Sequence, residues 1–198
     1  MMTRPLAASP AVSSRVLGAA GILGGVVLLS AFLIEIPTDL NVVRIVLFNL
    51  GAIATTIAVH RRQGSLSPAT TRTVAVATVV ANATVLLREV LPYGPWHPFA
   101  GDNGLVLFYA GIAMWLTDAA LGTVTLRLGV VTRWGALALA IGSLLAITGI
   151  DRLGLTSQAD PTIFGPLSLA GIALNGIAWI LLGIDVATRH GASSPLVR

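Results

Sequence analysis

Six long apolar runs alternate with short polar breaks along this chain of 198 residues. The runs are Val16–Ile36, Leu40–His60, Thr73–Leu91, Gly104–Thr125, Trp134–Ile150 and Phe164–Ala187. Each is about 17–24 residues long, and a helix needs about 20 residues to cross a hydrocarbon core of about 30 Å. None shows the strict apolar/polar alternation of a barrel strand of about 10 residues. The prolines fall in tails, breaks or helix ends, with Pro166 in the first turn of the sixth run, where a missing amide proton is tolerated. The pattern predicts an all-α, polytopic integral membrane protein. It forms a single domain over residues 1–198, a bundle of six transmembrane helices between short cytoplasmic tails at 1–15 and 188–198. The first run is too long for a signal-peptide core of about 7–15 residues, and no A-x-A-like site follows it. It is therefore expected to be an uncleaved first span.

Composition strengthens this picture. Hydrophobic residues make up 55% of the chain and charged residues 10%, against about 25% charged in a soluble domain. The mean hydropathy is +0.88. The absence of cysteine excludes disulfides, thiolate catalysis and thiolate metal sites. All twelve basic residues are arginine, so lysine Schiff-base chemistry is excluded too. No basic run exceeds two residues, and the net charge of +4 does not describe a nucleic-acid-binding surface.

The arginines set an orientation. Arg4, Arg15, Arg61, Arg62, Arg72, Arg127, Arg133, Arg189 and Arg198 fall on one side of a six-span topology. Arg44, Arg88 and Arg152 fall on the other. Cytoplasmic loops carry the arginine excess, which predicts a multi-pass protein of the cell membrane with both termini inside. Six of the acids (Glu35, Asp39, Glu89, Asp102, Asp151, Asp160) fall on the outer side, and Asp118 and Asp185 lie toward the inner half.

Three stretches coincide at an offset of 60. Val46-Leu47-Phe48 matches Val106-Leu107-Phe108, Ala110-Gly111-Ile112-Ala113 matches Ala170-Gly171-Ile172-Ala173, and Gly51, Gly111 and Gly171 fall in register. One reading is three tandem helical hairpins, since parallel repeats build several transporter folds. The other is chance identity in an apolar alphabet of few letters.

The candidate chemistry centres on Asp118, the one charged residue far inside an apolar run. Steps of three and four residues put Gly111, Trp115, Asp118, Gly122 and Thr125 on one narrow face, which is expected to face protein. An aspartate at the bilayer centre costs about 2.5–3.5 kcal/mol on insertion scales and marks a functional site by default. The alternative is a packing role, with the carboxyl protonated or hydrogen-bonded to a neighbouring Thr or Asn. Asn49, Asn82 and Asn175 lie mid-run and seek partners on other helices at roughly 0.6–2 kcal/mol per bond. With Asp118 and Trp115 they form a candidate polar core, provided their helices face a common axis. A candidate outer mouth comprises Glu35, Asp39, Arg44, Arg88, Glu89, His97 and Asp102. His97 lies in the Pro- and aromatic-rich segment 92–104, read as an interfacial aromatic belt or a lid. The alternative for the outer charges is ordinary interfacial ion pairs. Asp185 and Arg189 are spaced as an i, i+4 pair.

His60, His97 and His190 share no metal-ligand spacing, and no G-x-S-x-G, H-E-x-x-H or P-loop occurs. No metal, cofactor or catalytic residue is assigned. The expected partners are the lipid bilayer and a small-molecule or ion ligand, not nucleic acid. The expected function is that of a small-solute or ion transporter or channel-like protein with a polar core around Asp118. The alternative is a non-transporting structural or regulatory membrane protein whose polar residues serve helix packing.

Overall fold

A computed structural model of the chain describes residues 10–30, 38–91, 105–147 and 166–188. These residues form six helices: α1 (Pro10–Ser30), α2 (Thr38–Gln63), α3 (Pro68–Val90), α4 (Leu105–Leu128), α5 (Arg133–Ile147) and α6 (Pro166–Thr188). Four of them, α1, α2, α3 and α6, are long and apolar enough to cross a membrane. α5 is apolar but has 15 residues. α4 has 24 residues and carries Asp118 in its interior.

Two helix starts differ from the sequence expectation. α1 begins at Pro10, inside the segment expected to be a tail. α3 begins at Pro68, five residues before the expected run. In α3 the proline sits in the first turn, where its fixed φ suits a helix. Hydropathy alone stops at the polar stretch Pro68–Arg72, although polar residues are compatible with a helix that ends in water. Thr71 closes this start by donating its hydroxyl and its amide to Ser67 O at 2.7 and 3.0 Å. α4 ends at Gly129, whose φ of +65° and amide bond to Thr125 O at 3.1 Å form a left-handed C-terminal cap.

Each helix packs on the next in sequence, and α6 returns to pack on α1, closing a ring. α2 also reaches α4 and α6. Glycines set the spacing. Gly18 faces Gly183, and Gly25 faces Gly176, across α1 and α6. Gly24 faces Gly51 across α1 and α2, and Gly142 faces Gly171 across α5 and α6. Gly21, one turn before Gly25 on α1, meets Thr55 of α2. Small residues let backbones approach where hydrocarbon solvent offers no hydrophobic drive to association.

The burial pattern is inverted relative to a soluble protein. Asn49, Thr55, Thr56, Thr78, Asn82, Asp118, Thr125, Ser143, Ser168 and Asn175 are buried. Large aliphatics such as Val26, Leu50, Val76, Val80, Leu116, Leu144 and Ile184 are exposed. An apolar exterior around a polar interior is what a lipid solvent selects. Some inward positions coincide at the offset of 60, while buried Asn49 and Thr56 correspond to exposed Tyr109 and Leu116. Thr55, Trp115 and Asn175 are all buried, as are Ala58, Asp118 and Ala178, and Val59, Ala119 and Trp179.

The glycine contacts give a paired test. A Cβ on Gly142 would lie 2.8 Å from Asn175 N and 2.9 Å from Gly171 O, both backbone atoms that cannot swing away. Gly142→Ala should lower stability by about 1–3 kcal/mol, the usual scale of overpacking. A Cβ on Gly111 meets nothing within 4 Å, so Gly111→Ala should be neutral or stabilising by up to about 1 kcal/mol. Unfolding of both variants in detergent checks the contrast, and equal losses would contradict the packing described.

Candidate functional site

The polar interior is assembled across four helices. Asp118 projects from α4 and is fully buried. Asn82 of α3 donates from Nδ2 to Asp118 Oδ1 at 3.5 Å and to Thr78 O at 2.9 Å. Asn175 of α6, also buried, donates to Ser143 Oγ of α5 at 2.8 Å. Thr78 Oγ donates to Thr117 O at 3.2 Å, a second α3–α4 link. The result is two buried polar links, Asn82–Asp118 between α3 and α4 and Asn175–Ser143 between α6 and α5. They form because each polar residue sits on the inward face of its own helix, and the glycine contacts bring those faces together.

Several buried atoms of these links lack a hydrogen-bond partner: Asp118 Oδ2, Asn82 Oδ1 and Asn175 Oδ1. An ion pair lies elsewhere, between Arg62 and Asp185. No arginine is within ion-pair distance of Asp118 among the described residues. A buried ionised carboxylate without a countercharge is costly. Among the described residues no three histidine, aspartate or glutamate side chains gather. The groups that do meet are one carboxyl and one amide, Asp118 and Asn82.

The rings of Phe48 of α2 and Trp115 of α4 are tilted at 37°, with centroids 6.4 Å apart. They belong to one buried apolar cluster with Val59, Leu121, Trp179 and Leu182. A polar latch lies near the C-terminal ends of α2, α4 and α6. Thr125 Oγ1 of α4 approaches Gln63 Oε1 of α2 at 3.5 Å. Arg62 of α2 donates to Asp185 O at 3.2 Å and Val186 O at 2.8 Å, with its Nη1 3.6 Å from Asp185 Oδ2. The guanidinium therefore caps the last carbonyls of α6, where the helix dipole favours a cation.

The structure sorts the sequence candidates. Asp118 and Asn82 come together, Asn175 bonds to Ser143, and Trp115 lies one helical turn from Asp118. Asn49 is buried but turns back on α2, donating to Ile45 O at 2.8 Å and leaving Oδ1 without a partner. It shares the α2 face of Thr56 and Gln63, which are also buried. Of the outer-mouth residues, Glu35, His97 and Asp102 lie outside the described residues, and Asp39 is described only as part of the α2 backbone. Arg44 and Glu89 are half-buried and Arg88 is buried. Arg189, the expected partner of Asp185, lies outside the described residues, while Asp185 is met by Arg62 of another helix. Sequence reasoning missed Arg62, Gln63, Ser143 and Trp179. The only hint for Arg62 was its place at the end of an apolar run, which says nothing of the helix it would reach.

No protein-family model, curated protein or solved structure matches this chain.

The latch can be tested by substitution. Arg62→Ala removes two charge-assisted bonds to α6 carbonyls and leaves Asp185 without this cation. It should cost about 1.5–3 kcal/mol, the range for hydrogen bonds to charged groups. Arg62→Lys should recover less than half of that, because an ammonium lacks the planar fork. Unfolding free energies of the two variants in detergent provide the measurement.

Proposed function

We propose that this chain is an integral membrane protein of six spans, built as three tandem hairpins, that binds and translocates a small cation or an ion-coupled solute through a site at Asp118. The observation that carries this reading is the state of the Asp118 carboxyl. It is fully buried, reached by the Asn82 amide of α3, without an arginine partner among the described residues, and with Oδ2 unpartnered. Helix packing alone would be served as well by an uncharged amide, whose burial costs far less than that of a carboxylate. A carboxylate gains from this position when a cation or a proton arrives to neutralise it.

The three-hairpin reading is supported by the coincidence of some buried positions at the offset of 60 and by glycine contacts within the first and third hairpins. Orientation with both termini cytoplasmic rests on the arginine distribution.

A specific observation also favours the packing alternative. Asn82 and Asn175 both spend donors on bonds that join helices. Flux measurements decide between the two. Purified protein in proteoliposomes should pass protons, sodium or potassium down an imposed gradient, and Asp118→Asn should reduce the rate at least tenfold without unfolding the protein. Absence of flux for all three ions, with Asp118→Asn lowering only thermal stability, would establish the packing role instead.

Orientation has its own test. The chain has no cysteine, so single cysteines report directly. Ser65→Cys, in the exposed turn between α2 and α3, should react with a membrane-impermeant maleimide only after cells are permeabilised. Ser157→Cys should react in intact cells. The reverse pattern would invert the topology.

A further inference from the structure

One end of the bundle collects the exposed arginines. The C-terminal ends of α2, α4 and α6 meet there, through Gln63, Thr125 and the Arg62–Asp185 pair. α3 and α5 start there after short turns, and Gly18 of α1 packs on Gly183 and Ala187 of α6. Arg15, Arg61, Arg72, Arg127 and Arg133 are all exposed. Among the described residues the acid at this end is Asp185, which is buried and engaged by Arg62.

Three of these arginines form a row. Asn82 of α3 bonds to Asp118 of α4, and the two helices run antiparallel. Arg72 lies ten residues before Asn82, and Arg127 lies nine after Asp118. At a rise of about 1.5 Å per residue, the two come to nearly one level. Gly122 of α4 packs on the backbone of Ala136 and Ala140 of α5. Arg127 lies five residues after Gly122, and Arg133 lies five before the middle of that contact. Arg133 is therefore at the same level, on the next helix of the ring. None of the three has an acid partner among the described residues.

The row terminates lipid-facing surface. Val76 and Val80 are exposed on the α3 face that ends at Arg72, and Leu116 and Ala120 on the α4 face that ends at Arg127. On α5 the exposed Ile141 and Leu144 share a face with Trp134, which is 74% exposed and adjoins Arg133. Indole rings settle at the headgroup level of a bilayer. Aliphatic surface, an interfacial indole and guanidinium groups without acid partners thus follow one another toward this end. The complementary molecule has hydrocarbon chains followed by a negative headgroup, and guanidinium forks match phosphate oxygens in particular.

We propose that the ends of α3, α4 and α5 form a docking surface for an anionic phospholipid. Arg72, Arg127 and Arg133 hold the headgroup phosphate, and the acyl chains lie along the exposed faces of the three helices. The surface is separate from Asp118 and does not depend on ion passage.

Native mass spectrometry of the purified full-length protein, released from detergent after titration with phosphatidylglycerol or phosphatidylcholine of identical chains, reads the binding. The wild type should favour phosphatidylglycerol roughly tenfold, given the strength of arginine attraction to anionic lipid. Arg127→Gln with Arg133→Gln should abolish most of that preference, and Arg72→Gln, on a different helix, should lower it independently. Arg15→Gln with Arg61→Gln removes the same charge from the same end outside the row and should leave the preference intact. All five side chains are exposed, and melting curves verify that each variant is folded. Equal binding of the two lipids overturns the proposal. So does an equal loss in the two double variants, which would reduce the effect to the net charge of that end. Glycerol phosphate, a phosphate without acyl chains, should not displace the bound lipid. Displacement would make the ligand a soluble phosphate and overturn the lipid assignment.

Discussion

The close approach of helix backbones at paired glycines is the interaction on which the rest of this structure depends. In a hydrocarbon solvent, apolar side chains gain little by leaving lipid for protein, so dispersion and interhelical hydrogen bonds must hold the helices together. Both need proximity. Gly18 on Gly183, Gly25 on Gly176, Gly24 on Gly51 and Gly142 on Gly171 supply it at three of the helix pairs that make the ring. The polar layer inherits its geometry from those contacts. Gly142 lies against the backbone of Asn175, and the next residue, Ser143, accepts the Asn175 amide. A side chain at Gly142 would push α5 from α6 and break the Asn175–Ser143 link.

The polar layer is a different kind of element from the glycine seams. Its hydrogen bonds join helices, as packing residues do, yet they leave acceptor atoms unpartnered around an acid. A structural device would minimise such orphans, because an unsatisfied buried polar atom costs about 1–3 kcal/mol. Three such atoms belong to Asp118, Asn82 and Asn175, and others lie elsewhere in the interior, at Asn49, Thr55, Thr56 and Gln63 among them.

Two further contacts draw on different physics. The Phe48–Trp115 contact is a tilted aromatic pair inside the buried apolar cluster. The Arg62 latch is directional and charge-assisted, with two carbonyls and one carboxylate of α6 held by a single guanidinium.

The amino-acid sequence by itself determined the elements. Apolar runs of spanning length, prolines confined to their ends and a scarcity of charge specify helices in lipid, because only a helix satisfies its own backbone there. It also marked Asp118, Asn82 and Asn175, since a polar side chain deep in such a run must turn away from lipid. Hydropathy misplaced the starts of α1 and α3, because helical hydrogen bonding continues into polar sequence that hydropathy scores as loop. Tertiary structure alone decided which polar residues meet. Asn175 bonds to Ser143, Asp118 is reached by Asn82, and Arg62 caps α6, whereas Asn49 turns back on its own helix. These choices depend on the rotation and axial offset of one helix against another. The glycine contacts set both quantities, and the periodicity of a single helix cannot report either.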